Sequence, residues 1–269
     1  MRQEKFERLR RAKELFAAGD EASLRYCCLE LRTCIELVAY ALVPLYEKEL
    51  PRGFDKWRPQ DVIDALLDCA PDADKDYTLR MGPEARYGEP AKKMFVVGHF
   101  KGLTRKFVQR HYHKLGSFLH APTFAQLSSG SPPAPDKAFL EETITAVDEL
   151  CSSSVISNFA MRVSLDCQDC GNPISRNTES LKRDGKLTCL EPTCKAEYTV
   201  EDLDSDVPKF RMVQLDFECV VCKTKNYVGK HRLKEGLKIT CCNCPQAFYL
   251  GQAWGIRPIT DGAHPRSGN

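Results

Sequence analysis

Nine of the chain's fourteen cysteines fall between Cys167 and Cys244, and they are spaced to hold a metal. Cys167 and Cys170 are followed after eighteen residues by Cys189 and then by Cys194; Cys219 and Cys222 are followed at the same interval by Cys241 and Cys244. The first three cysteines of each set map on to one another at a constant offset of 52, and so do Val163 and Leu165 on to Leu215 and Phe217. LKRDGKLTC (181–189) likewise aligns with LKEGLKITC (233–241), and an aromatic, Tyr198 or Phe248, stands four residues beyond each closing cysteine. A Cys-x-x-Cys hook supplies two thiolates from one turn, and a second hook across a small antiparallel sheet completes a tetrahedron, the arrangement zinc prefers. Two zinc ions are therefore expected, one on Cys167, Cys170, Cys189 and Cys194, the other on Cys219, Cys222, Cys241 and Cys244. Four thiolates leave no coordination position for water, so both ions should be structural. Cys242 is a ninth thiol beside a ligand; pairing Cys241 with Cys244 preserves the repeat.

The two copies resemble zinc ribbons over residues 165–250, and they differ in charge. Between Cys167 and Tyr198 five basic residues face five acidic ones, whereas between Cys219 and Cys244 six basic residues face only Glu235. Lys223, Lys225, Lys230, Arg232, Lys234 and Lys238, with Tyr227 and His231 interleaved, suit a surface that follows phosphates while a base stacks. RNA or another single-stranded nucleic acid is one partner of that kind, and an acidic protein is the other. The competing reading is local: a tetrathiolate zinc carries net negative charge that nearby lysines offset. His231 is expected on the surface, since four cysteines already complete the site.

The elements in front of the ribbons read as helices. Phe6, Leu9, Leu15 and Phe16 approximate one stripe, stopped by Gly19-Asp20. From Ala22 the spacing Leu24, Cys27/Cys28, Leu31, Cys34/Ile35, Val38, Leu42 and Leu45 predicts a helix running to about Glu49 with a kink at Pro44. Pro59 opens another helix carrying Val62, Ile63, Leu66 and Leu67, and Tyr77–Leu79 and Met94–Val97 form two short strands. Thr104 caps a helix through Phe107, Leu115, Phe118 and Leu119. SSGSPPAP (128–135) is a loop, and Phe139, Leu140, Ile144, Val147, Leu150 and Cys151 mark a last helix. The five cysteines outside the ribbons (Cys27, Cys28, Cys34, Cys69 and Cys151) lie mostly on apolar stripes and read as core filler.

The segment RHYHKLGSFLHAP (110–122), behind the long helix LRYCCLELRTCIELVAYAL (24–42), resembles the HEPN superfamily of small helical domains through Tyr112, Leu115, Gly116, Ser117, Phe118 and His120. The resemblance implies a helical bundle over residues 1–155 that forms a homodimer. Many members are bacterial, and host defence is a common role among those. Active members are metal-independent endoribonucleases in which an arginine and a histidine act on the phosphate and the ribose hydroxyl. This chain departs from that pattern, because the residues five to seven before His120 are Leu115, Lys114 and His113. Lys114 with His120 keeps charge without a guanidinium fork, and Arg105 with His111 keeps the R-x5-H spacing upstream of the matching segment. Catalysis therefore stays open against a structural reading in which His120 interacts with the carbonyl end of its helix.

A multidomain chain follows: a mainly α helical bundle at 1–158 with a β insertion near 76–100, zinc ribbons at 159–204 and 205–257, and a disordered tail at 258–269. A net charge of +2 over 269 residues selects no partner by itself. The charged N-terminus and the shortness of the apolar stretch from Cys34 to Tyr46 argue against a leader or a membrane span, and paired cysteines that bind metal suit the cytoplasm. The functions compatible with these readings are a zinc-dependent nucleic-acid binder or adaptor, a HEPN-type endoribonuclease, and a protein-docking scaffold.

Overall fold

The computed structural model describes residues 2–84, 86, 91–129, 134–157, 161–205 and 207–251. The expected domain boundary at 158–162 and the expected tail at 258–269 fall partly or wholly outside these residues.

The N-terminal region is helical. Helices α1 (Arg2–Ala18) and α2 (Glu21–Tyr40) pack as a hairpin, with Gly19 at φ +74° in the turn and Asp20 accepting from the Ser23 N–H at 3.0 Å. Leu24, Cys27, Cys28, Leu31, Cys34, Ile35 and Val38 form the buried stripe of α2. The helix stops at Tyr40, earlier than the periodicity predicts. Pro44 has no N–H to continue the ladder, and the chain tightens into a 3-10 turn (Val43–Tyr46) instead of kinking and going on. Helix α3 (Pro59–Cys69) starts on its proline as expected.

Strands β1 (Tyr77–Met81) and β2 (Phe95–Phe100) pair antiparallel with a bulge between Leu79 and Arg80, matching the two short strands read from the sequence. The Thr104 hydroxyl accepts from the Phe107 N–H at 3.0 Å and starts α4 (Arg105–Phe107), a π-helical turn (Val108–Tyr112) and α5 (His113–Ser117). The wide turn was not foreseen. It turns both His111 and Tyr112, adjacent in sequence, into the interior. A short, exposed α6 (Phe124–Ser128) starts on a Thr123–Gln126 capping box, and α7 (Lys137–Cys151) completes the helical core.

The C-terminal region consists of small antiparallel sheets. Strands β3 (Arg162–Asp166) and β4 (Pro173–Asn177) form one hairpin, and a short α8 (Thr178–Asp184) follows, capped by Asn177. Strands β5 (Lys186–Thr188), β6 (Glu197–Asp202) and β7 (Lys209–Met212) form a sheet in that order. The second copy repeats the pair of hairpins, β8 (Gln214–Glu218) with β9 (Lys225–Gly229) and β10 (Lys238–Thr240) with β11 (Ala247–Tyr249). A 3-10 turn (Lys230–Arg232) replaces α8.

The first copy is docked on the helices through Glu49, which has no exposed surface. Its carboxylate meets Arg162 Nε at 2.7 Å and the Asn177 N–H at 3.0 Å, while its carbonyl accepts from Arg176 at 3.1 Å. Arg183 donates to the carbonyls of Leu67 and Asp68 at the end of α3, and Arg52 reaches Glu191 and Asn172. The second copy hangs from the first: the Val213 N–H donates to Glu197 O at 2.8 Å and Lys230 N–H to Val213 O at 2.9 Å.

Candidate metal centres and the basic face

Each hook is built by the same turn. The Cys167 N–H donates to Asn172 O and Gly171 N–H to Cys167 O; Cys219 N–H donates to Thr224 O and Lys223 N–H to Cys219 O. The fourth residue after the first cysteine is left-handed in both copies, Gly171 at φ +71° and Lys223 at φ +59°. This turn aims both sulfurs and several N–H groups inward. The closing hooks match as well, with Cys189 N–H donating to Ala196 O and Cys241 N–H to Gln246 O, both at 2.8 Å.

The turns bring together the cysteines that the repeat predicted. Cys167, Cys170, Cys189 and Cys194 form one group and Cys219, Cys222, Cys241 and Cys244 another, the sulfurs within 4.8 Å of one another, and each group could hold a metal ion. The Sγ–Sγ separations are 3.8 Å (167–194), 3.6 Å (170–189), 3.6 Å (219–244) and 3.5 Å (222–241). A tetrahedron of four thiolates at a zinc–sulfur distance of about 2.3 Å has edges of about 3.8 Å, so the donor set and its size fit zinc. Cys242 lies outside both groups and is exposed.

Hydrogen bonds favour thiolate at selected sulfurs. Burial works to raise Cys167, yet the Tyr198 hydroxyl at 3.3 Å and the N–H groups of Cys170 and Asp169 bring it down to about 6. Tyr198 is fully buried and accepts in turn from the Gln168 N–H at 2.8 Å, which gives the aromatic of the first repeat a polar task. Its counterpart Phe248 packs edge-on against Phe217 instead. In the second group the Thr224 hydroxyl and N–H bring Cys222 down to about 6.

A third grouping, Asp169, Cys194 and His231, joins the two copies. Asp169 Oδ2 meets His231 Nε2 at 3.0 Å and Arg232 Nε at 3.1 Å. Desolvation works to raise Asp169, but these hydrogen bonds hold it below the usual carboxylate range. With Arg232 on the carboxylate and Cys194 in the first group, the cluster is a clamp between the two copies. His231, expected on the surface, has a side chain only 6% exposed. Gly229 makes this possible, because a Cβ there would overlap the His231 ring. The sequence signal was the acidic residue inside the first hook, where the second has Val221.

The predicted basic face is consequently thinner than the composition suggests. Arg232 is committed to Asp169, and Lys225 pairs with Asp216 at 2.8 Å while lying over the Tyr227 ring. Lys223, Lys230, Lys234 and Lys238 are exposed and have no acidic partner among the described residues. Tyr227 is 55% exposed, and Tyr249, which sequence reasoning passed over, is 73% exposed and lies opposite Lys238 in the β10–β11 register. Each tyrosine thus stands beside a lysine. The equivalent positions of the first copy hold Ser175 and Thr199.

The candidate catalytic residues of the helical region are not joined by any hydrogen bond or ion pair among the described residues. Arg105 is bound to Asp64. His111 is 4% exposed, between Phe107 and Phe139, with Nδ1 at 2.9 Å from the Thr143 hydroxyl, so Arg105 and His111 do not form an open pair. Lys114 lies over the Phe139 ring at 4.0 Å, and His120 is exposed in a bend beyond α5, not in its last turn. The residues the segment does organise are others: Tyr112 donates to Glu36 at 2.7 Å and accepts from Arg32 at 2.9 Å, and Gly116 leaves room for the Arg32 guanidinium. No family model matches the chain, and no curated protein or solved structure matches it. The likeness of 110–122 to HEPN segments therefore rests on those residues alone.

Proposed function

We propose that the chain is a zinc-dependent single-stranded nucleic-acid-binding protein whose first ribbon is a mount and whose second ribbon is the reader. In this reading one zinc in each cysteine group supplies structural closure. The observation that carries it is the pair of exposed tyrosines, Tyr227 and Tyr249, each beside a lysine and each absent from the otherwise parallel first copy. Stacking of a base on a tyrosine contributes about 1–3 kcal/mol, and unpaired lysines on the same module add a salt-dependent attraction to phosphates.

The test is anisotropy of a labelled single-stranded oligonucleotide, RNA and DNA in turn, across a salt series with the zinc-loaded protein. Tyr227→Ala and Tyr249→Ala should each weaken binding by about five- to a hundredfold. Lys223→Glu with Lys230→Glu should flatten the salt slope. Wild-type binding too weak to measure at low salt, or affinity indifferent to all four changes, rejects the reading.

A second reading is favoured by one other difference between the copies. Val220 and Val221 stand exposed at the tip of the second hook, where the first copy has Gln168 and the clamping Asp169. An apolar tip of this kind suits a protein partner and makes the chain an adaptor. Val221→Asp would then abolish capture of that partner and leave oligonucleotide affinity unchanged.

A further inference from the structure

Five cysteines lie outside the ribbons, all buried, and two of them differ from the rest. Cys27 and Cys28, on the core face of α2, are pushed up by burial to about 12 and about 11, as expected of inert core thiols. Cys69 donates to Glu49 O at 3.2 Å. Cys34, midway along α2, and Cys151, the last residue of α7, have their sulfurs in contact at 3.5 Å across 117 residues of chain. The Cys34 thiol also lies 3.2 Å from the Lys5 carbonyl.

The surroundings treat the two sulfurs unequally. Cys34 is driven upward, first by its contact with Cys151 and then by burial. Cys151 is drawn down by the hydrogen bond from Cys34, helped by the positive charges of Lys5 and Lys13 and opposed by burial and Asp148. Lys5 itself is almost wholly buried. A small crevice is lined by Lys5, Val38 and Leu150, one residue from each of the three helices packed around the pair, and by neither sulfur. An S–S bond measures about 2.05 Å, so closure needs about 1.5 Å of approach, within reach of side-chain rotation between two packed helices.

We propose that Cys34 and Cys151 are a redox-active dithiol that a hydroperoxide closes into a disulfide stapling α2 to α7. Cys151 sulfur attacks one peroxide oxygen; the O–O bond breaks, the alcohol or water leaves with the Cys151 proton, and Cys151 becomes a sulfenic acid. Cys34 sulfur then attacks the sulfenic sulfur, the S–O bond breaks, and water departs with the Cys34 proton as the S–S bond forms. Two electrons pass from two thiols to one peroxide, and a small thiol reverses the step by exchange.

The experiment treats the full-length, zinc-loaded protein with graded hydrogen peroxide, follows released zinc with a colorimetric chelator, and maps cysteines by alkylation under denaturing conditions and mass spectrometry. The 34–151 cross-linked peptide, about 2 Da lighter than its separate parts, should accumulate at least tenfold faster than any modification at Cys27 or Cys28, and dithiothreitol should remove it. In Cys34→Ser, Cys151 should be captured by dimedone as a sulfenic acid; in Cys151→Ser, Cys34 should not. If either variant fails to fold, mapping of the wild type decides alone. Recovery of Cys34 and Cys151 fully alkylated at peroxide levels that already oxidise Cys27 and Cys28, or that already release both zinc ions, overturns the proposal.

Discussion

His111 shows how one buried side chain ties stability to pH. The Thr143 hydroxyl donates to Phe139 O at 2.8 Å, so it must accept from His111, which fixes the proton of the neutral ring on Nδ1. Burial lowers the pKa of His111 from 6.5; Glu142 opposes that shift, while Arg110 and Lys114 add to it. The unfolded chain therefore takes up the proton first. Stability is fully present above about pH 6.5 and falls as pH drops through the window below it. The urea midpoint should decline as pH falls below about 6.5, and His111→Gln should remove most of that slope. An unchanged slope in the variant would place the titrating group elsewhere.

Among the elements, the 3-10 turn after α2 and the first cysteine-bearing copy are held together by Glu49. Glu49→Ala would leave Arg162 and the Asn177 N–H without their acceptor at a buried junction. The expected cost is about 3 kcal/mol, at the low end for a broken buried pair because Arg162 keeps some water. The melting temperature should fall while bound metal, measured on the same sample, stays the same; loss of metal would mean that Glu49 shapes the cysteine site itself. This junction was invisible in the sequence, where Glu49 is one acid in the run YEKEL. Local signals were readable: the stop at Gly19-Asp20, the Thr104 cap, Pro59 at a helix start, the two short strands and the cysteine hooks all depend on residues near in sequence. What depended on distant partners was not. The π turn answers to Thr143 on one side and to Arg32 and Glu36 on the other, and Asp169 acquires meaning only once the second copy places His231 against it. The basic run misled for the same reason, since composition does not reveal that Lys225 and Arg232 are already paired.

Among the described residues the attachments are ordered: helices hold the first cysteine-bearing copy, and the first copy holds the second. The helical region has its own large core, the first copy a small one around Tyr198 and Leu187, and the second copy relies chiefly on its cysteine group and on contacts with the first. Structural zinc contributes about 10–16 kcal/mol of apparent folding free energy to zinc-finger modules, so removing a metal held by the two cysteine groups should unfold residues 161–251 and spare the helices. Chelation should therefore leave the helical circular-dichroism signal nearly intact while amide protection in 161–251 is lost. The ordering makes the two sites unequal in a way metal analysis can measure. Cys222→Ser should remove the metal from the second cysteine group alone and leave the first copy protected. Cys170→Ser should remove the first ion and, by loosening Asp169 from His231 and Arg232, accelerate chelator capture of the second by about tenfold or more. Equal and independent losses in the two variants would mean that the clamp does not couple the ribbons, and that each closes around its metal alone.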